Sequence, residues 1–404
     1  MKKLIIVLIL VILLLVPVSC TSTTPQSEEE EAPLVVLERW EIGEKWEYGQ
    51  QAVWGDIMVG SEIEVRDRKV VKPYISTYNL RSREKERVLE LPPDRIVYDA
   101  PAIHGDRVVW ASVNRDEAEQ QRSVRHSPMP NWDVFLLDIK TGEVRQLTTD
   151  DRAQVYPRIY GDTVVWLDNR HEEGYHNPRR YDVYAYDLRS NKESRITSTT
   201  SAEDRNLSIS GNLVSWTDNR HADPEVNIHA GNEPDYNNEI YAYDLAANKE
   251  HRVTDYAGND HYPAIDGNRI VWLRQSEYRE ADVFVYDVET GQETQVSHSS
   301  YASFRPAIHG DKIVWTDARA SKGNTTNDVV EIVVDQNTGT KERREPGADI
   351  YLYDLKAQRE KRLTSPLDTG FSLWVRPLIH NNFIVYMLDR QVNPITYAMR
   401  LTEK

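Results

Sequence analysis

The feature that most constrains this chain is a cassette that recurs along nearly its whole length. Its first half is a Gly-Asp or Gly-Asn pair followed by an apolar run ending in tryptophan. It reads AIHGDRVVW at 102–110, RIYGDTVVW at 158–166, SISGNLVSW at 208–216, AIDGNRIVW at 264–272 and AIHGDKIVW at 307–315. A weaker copy is LIHNNFIVY at 378–386, and a degenerate one is QAVWGDIMV at 51–59. The second half opens on an acidic residue: DVFLLDI (133–139), DVYAYDL (182–188), EIYAYDL (239–245), DVFVYDV (282–288) and DIYLYDL (349–355). Its degraded forms are YISTYNL (74–80) and ITYAMRL (395–401). A third element, VRQLTT, ESRITS, EHRVTD, TQVSHS or KRLTS, closes five of the units.

Each part has a physical reason. Gly, Asn and Asp tolerate positive φ, so the pair makes a tight turn. The apolar residues after it suit a buried inner strand. In DVYAYDL, alternation puts Val, Ala and Asp on one face and both tyrosines on the other. The third element alternates charged and apolar residues, as an exposed outer strand does. Helical periodicity is almost absent after residue 20, while 22 Tyr and 10 Trp join frequent Val, Ile and Thr, a mixture suited to pleated strands.

Successive second halves begin at 74, 133, 182, 239, 282 and 349. A four-stranded unit of about 40–50 residues is that of a propeller blade. The excess length lies between the Trp strand and the next acidic strand, which assigns the insertions to one loop class. Seven first halves predict an all-β, seven-bladed β-propeller of four-stranded antiparallel blades over 34–404. Six blades is the alternative if 34–95 forms something else. The last copy ends after three strands, and LVVLERWEI (34–42) resembles an outer strand. An N-terminal strand is therefore expected to complete the C-terminal blade and close the ring.

The first twenty residues read differently. Lys2 and Lys3 precede an apolar run from Leu4 to Val16, then Pro17, Val18, Ser19 and Cys20, the single cysteine. A charged start, a short apolar stretch and a small residue before the cut describe a secretory signal peptide. The run is shorter than a membrane span requires. Cys20 at the cleavage point marks a lipoprotein-type signal over 1–20, with Cys20 the lipidation site, although Pro17 stands where such signals usually have Leu. Residues 21–33, rich in Ser, Thr and Glu, read as a disordered tether. The expected location is the cell envelope, in the outer membrane and periplasm or on the cell surface, with a lipid anchor to the membrane. Net charge is −16, and loss of Lys2 and Lys3 with the leader makes it more negative. Such a surface repels nucleic acid and anionic headgroups. One cysteine excludes an intramolecular disulfide and a Cys-based zinc site.

The unit P-x-I-x-G-D-x-[VI]-V-W-x-D-x-R … D-[VI]-Y-x-Y-D-[LV] … R-[LIV]-T resembles the TolB-like propeller repeat, also called the PD40 or WD40-like repeat. The resemblance covers roughly 34–404. It implies the fold far more than a function, because the group includes TolB, propellers of prolyl-oligopeptidase-like peptidases and surface lipoproteins. The chain departs from TolB in its seven blades, in lacking a separate N-terminal α/β domain and in its lipobox-like cysteine. The resemblance therefore implies the fold and not the Tol–Pal role.

No G-x-S-x-G elbow, H-E-x-x-H motif or P-loop occurs. The expectation is a binding or scaffolding module, monomeric, without cofactor or metal, whose partner is another envelope or surface protein or a glycan. A polysaccharide-lyase-type propeller is the alternative. His126, His171, His176, His221 and His229 lie in the long polar loops, where solvated side chains are expected. The repeated Trp-x-Asp-x-Arg trace (Trp166, Asp168, Arg170; Trp216, Asp218, Arg220; Trp315, Asp317, Arg319) is expected to form the same bracing salt bridge each time. The second Asp of Y-D-[LV] (Asp187, Asp244, Asp287, Asp354) is expected to cap the turn after it. Residues just before the inner strands should ring the central channel: Asp99, Tyr156, Arg205, His261, Tyr262, Arg305 and Arg376, with Trp374 nearby. Arginines and aromatics there suit a ligand rim, since Arg grips carboxylates bidentately and aromatics stack.

Overall fold

The structure, a computed structural model, describes residues 34–43, 51–66, 69–122, 130–171, 181–199, 202, 207–221, 237–256, 258–277, 280–299, 303–319, 331–334, 341–344, 348–364, 376–388 and 395–403. The predicted leader 1–20 with Cys20, the tether 21–33, Arg205, Trp374, His126, His176 and His229 lie outside these residues.

Seven four-stranded antiparallel sheets form the chain. The innermost strands contact one another in unbroken succession, and that of the seventh sheet returns to that of the first. The fold is a seven-bladed β-propeller. Blade 3 shows the pattern: Gln154–Tyr160 innermost, then Thr163–Asp168, Asp182–Asp187 and the outermost Lys192–Arg195. The six-bladed alternative fails because 51–90 forms a full blade: Gln51–Trp54, Ile57–Arg66, Lys69–Asn79 and Lys85–Glu90. Blade 7 takes Leu378–His380, Phe383–Leu388 and Ile395–Glu403 from the C-terminus, and Leu34–Gly43 as its outer strand. That last pairing runs from Leu34 opposite Glu403 to Gly43 opposite Thr396. It removes the free edge that an incomplete sheet would expose.

The turn chemistry explains the hairpins. Gly105, Gly161, Gly211, Gly267 and Gly310 all have φ near +60°, and in blade 7 Asn381 takes the same conformation at +52°. Insertions fall between the second and third strands, as the helix Arg115–Arg122 in blade 2 and the hairpin Glu331–Val334 with Lys341–Arg344 in blade 6.

The core lies between blades. Trp110, Trp166, Trp216, Trp272 and Trp315 are at most 1% exposed. Each stacks on the aromatic ring beside it on the third strand, as Trp166 does on Tyr184 at 6.0 Å. Tyr386 on Tyr397 is the blade 7 version. Burying one such side chain is worth roughly 3–5 kcal/mol against alanine.

The Trp-x-Asp-x-Arg trace is a brace across each blade that has it. In blade 3, Trp166 Nε1 donates to Asp168 Oδ2 (2.9 Å), as does Arg170 (2.6 Å), and Arg170 also reaches Glu193 on the outer strand (2.9 Å). Its guanidinium lies 4.4 Å from the Tyr184 ring centre. Blade 4 repeats this with Trp216, Asp218, Arg220, Glu250 and Tyr241, and blade 6 with Trp315, Asp317, Arg319, Glu360 and Tyr351. In blade 5 the polarity is exchanged: Arg274 stands where the others have Asp, and Asp260 on the inner strand supplies the carboxylate at 2.9 Å.

The R-x-T element is a second lock. Backbone amides of Val134, Val183, Ile240 and Ile350 donate to Thr148, Thr197, Thr254 and Thr364, with Ser297 serving Val283. The Arg of that element pairs with the first acid of the third strand: Arg195 with Asp182 and Arg362 with Asp349, both 2.7 Å, and Arg252 with Glu239. The Asp of Y-D-[LV] caps its turn, as when Asp187 Oδ1 accepts from the amides of Arg189 (2.8 Å) and Ser190 (2.9 Å).

Candidate functional site

The cassette places one end of every inner strand at each mouth of the central channel. At the mouth where these strands begin, four of the seven carry a bulge: between Tyr98 and Ala102, Val155 and Arg158, His261 and Ala264, and Phe304 and Ala307. Each bulge holds a non-glycine residue at positive φ: Asp99 (61°), Tyr156 (54°), Tyr262 (57°) and Arg305 (42°). Such conformations cost about 1–3 kcal/mol and persist only where surroundings enforce them. Proline follows closely in all four (Pro101, Pro157, Pro263, Pro306), which suits a bulge because no ladder donor is lost there.

The bulges sort the expected rim residues into two groups. Asp99 accepts from Arg158 at 3.2 Å, with both side chains largely enclosed. Arg305 lies over the Tyr262 ring at 5.1 Å, and His261 meets the edge of that ring at 4.7 Å. Burial pushes His261 down to about 4. Tyr156 is only 1% exposed; its ring packs on Tyr98 in the seam between blades 2 and 3, with the two hydroxyls 3.0 Å apart.

Arg376 lies two residues before the inner strand of blade 7. Burial first, then the neighbouring positive charges of Arg158 and Arg305, bring its guanidinium down to about 10, with Asp99 acting in the opposite sense. Among the described residues, arginines from blades 3 and 6 thus act on the Arg376 guanidinium, and Asp99 opposes them. Among the described residues no side chain pairs with Arg376. Arg158 and Arg376 border a cavity of about 140 Å³ on the propeller axis. Its remaining wall is mostly apolar, with Ala52, Ala102, Ala307 and Leu378 from the inner strands of blades 1, 2, 6 and 7.

Sequence reasoning missed Arg158. Its position in the cassette holds Ala102, Ser208, Ala264, Ala307 and Leu378 in other blades. One charged side chain where the repeat keeps small or apolar ones was the available signal.

The opposite mouth carries a second feature the sequence reading did not single out. The residue before each Gly-Asp turn forms a ring: Trp54, His104, Tyr160, Ser210, Asp266, His309 and His380. Trp54 packs on His104 (4.9 Å) and His104 on Tyr160 (4.5 Å). Ser210 Oγ accepts from the Gly267 amide (3.0 Å), and Asp266 from that of Gly310 (2.7 Å). His309 stacks on His380 at 4.0 Å, and His380 Nδ1 accepts from the Gly55 amide at 3.0 Å. Burial, then the adjacent His309, pushes His380 down to about 4; burial, then Arg107, also lowers His104.

Of the loop histidines, His171 and His221 are described, and each bonds within its own blade. His171 Nε2 lies 2.8 Å from the Tyr184 hydroxyl and His221 Nε2 2.9 Å from that of Tyr241. Both extend the brace of their own blade. Among the described residues no group of three His, Cys, Asp or Glu is placed to hold a metal ion.

No protein-family model matches the chain, and no curated protein sequence does. Solved structures do. The β-propeller domain of the Trilobed protease from Pyrococcus furiosus superposes with a TM-score of 0.55 at 11% identity, covering 90% of this chain and 96% of that one. The uncomplexed acylaminoacyl peptidase of Pyrococcus horikoshii gives 0.55 at 10% identity, over 89% of this chain and 52% of the peptidase. The likeness is one of fold. TolB from Acinetobacter baumannii is also similar, at a TM-score of 0.40 and 12% identity, covering 86% and 82% of the two chains. The Trilobed protease propeller is described as having an open velcro topology, whereas here the strand Leu34–Gly43 closes the last blade.

Proposed function

We propose that this chain is an exported, lipid-anchored propeller of the cell envelope that binds a partner at the arginine-bearing mouth, without catalysis of its own. Export and anchoring are supported by Lys2 and Lys3, the apolar run to Val16, and Cys20 ahead of a polar tether. The single observation that carries the binding reading is Arg376 and Arg158 bordering an axial cavity, with the positive charge of Arg305 acting on Arg376 and Asp99 paired to Arg158. A buried cation short of counter-charge, as Arg376 is, costs stability, and such a cost is kept where a ligand repays it. The mouth shares its face with the insertions between second and third strands, so a protein partner or a glycan would meet both.

Two experiments test this. Radiolabelled palmitate should enter the wild-type chain and not Cys20→Ser; equal labelling removes the anchor. Chemical cross-linking in intact envelopes should trap a stoichiometric protein or glycan partner, and Arg305→Glu should abolish it. No partner with either chain removes the binding reading.

A further inference from the structure

Which chemistry fits this mouth can be read from the cavity itself. Its volume, about 140 Å³, is close to the ~150 Å³ of an apolar protein cavity that takes benzene. Ala52, Ala102, Ala307 and Leu378 offer it no hydrogen bond through their side chains, and Gln51 is the one polar side chain of the lining besides the arginines. At its edge stand Arg158, whose Nη1 donates to the Pro157 carbonyl (3.0 Å) and whose Nη2 donates to Asp99, and Arg376, which no described side chain engages. The site therefore combines one planar donor fork that no described side chain engages, further positive charge from Arg305, and a mostly apolar chamber of about six heavy atoms.

We infer that the axial cavity binds a carboxylate carried on a short apolar body, the carboxylate held by Arg376 and the body filling the space between the inner strands of blades 1, 2, 6 and 7. This deepens, and rests on, the binding reading above. A guanidinium matches a carboxylate with two parallel N–H···O bonds, and the low-dielectric surroundings strengthen that pairing. A phosphate or sulfate would satisfy the charge but leave the apolar chamber unfilled. A neutral aromatic would fill the chamber but leave Arg376 without an anion. Two sources share the chemistry: a free monocarboxylic acid, and the last residue of a polypeptide with an apolar side chain.

The test uses the full chain purified in detergent and isothermal titration with four probes: benzoate, benzamide, a pentapeptide ending in leucine with a free carboxylate, and the same peptide amidated. The expected result is binding of benzoate or the free peptide, at least ten-fold tighter than the matched amide. Benzoate alone identifies a small-molecule site, and the free peptide alone a chain-end site. Arg376→Gln should weaken that binding at least ten-fold while melting no lower than wild type, which separates lost recognition from lost fold. Amides binding as tightly as acids, or Arg376→Gln binding within two-fold of wild type, would overturn the inference. If no probe binds yet envelope cross-linking still traps a partner through Arg305, the carboxylate assignment fails and the binding reading stands.

Discussion

The rim of each blade and the axis of the propeller obey opposite rules. At the rim, brace residues recur with the same identity and geometry: Asp168, Asp218 and Asp317 each take a Trp N–H and an arginine. At the axis, the same cassette position varies between blades: one mouth has Trp54, Tyr160, Ser210 and Asp266 beside His104, His309 and His380, and near the other Arg158, Ser208 and Leu378 interrupt a run of alanines. The Asp–Arg brace bonds lie within one blade, which repeats, so one solution serves blades 3, 4 and 6. An axial residue meets side chains from several different blades at once, so repetition does not constrain it. Stability is accordingly written in the repeating positions, and the proposed recognition in the ones that break the repeat.

Disrupting the rim should have the largest effect. Trp216→Ala removes a fully buried ring and a donor to Asp218 and is expected to cost about 3–5 kcal/mol, measured by urea unfolding. If it costs less than about 1 kcal/mol, the rim does not carry the stability assigned to it.

Acidification should act chiefly through the axis. His261 and His380, held near 4, and the lowered His104 stay neutral in the fold but take up protons once unfolded near the ordinary imidazole value. Their contribution to stability is complete above about pH 6.5 and is lost as the pH falls towards 4. For His380 the facing charges are His309, Asp266, His104 and Asp56. Thermal melts across that range should decline for wild type and decline less for a His261→Gln, His380→Gln variant; parallel curves would contradict the assignment.

The smallest effect separates blades within the rim. Blades 3, 4 and 6 pair the first acid of the third strand with arginine, but blade 2 has Gln146 beside Asp133. Burial there pushes Asp133 up to about 6 in spite of bonds from Gln146 and Thr148. Gln146→Arg should return Asp133 to the ordinary carboxylate range by NMR titration. It should add ~1 kcal/mol at neutral pH, one pKa unit being about 1.4 kcal/mol. An unchanged titration would show that burial, not the missing cation, sets the value.

Much of the ring could be read in advance because its determinants are local. The Gly-Asp turn, the Trp strand and the acidic strand each announce themselves within ten residues, and LVVLERWEI matched an outer strand well enough to predict closure. The bulges were not legible. Taken as a residue just before the inner strand, Tyr156 is sent to the channel, but the extra residue at Tyr156 and Pro157 turns its ring into the seam and leaves Arg158 on the cavity. Gln154–Tyr160 shows the limit: its hydrophobicity gives the strand, while side-chain direction depends on a bulge that only packing fixes.

The most direct test sets one residue from each region side by side in urea unfolding. Asp317→Asn removes charge from a carboxylate that is fully buried and braced by Trp315 and Arg319; Arg376→Gln removes a cation crowded by Arg158 and Arg305. The account predicts a lower midpoint for Asp317→Asn and a midpoint equal to or above wild type for Arg376→Gln. Arg376→Gln falling as far as Asp317→Asn would mean that the axial arginines hold the ring together, and the division between bracing rim and binding axis would be lost.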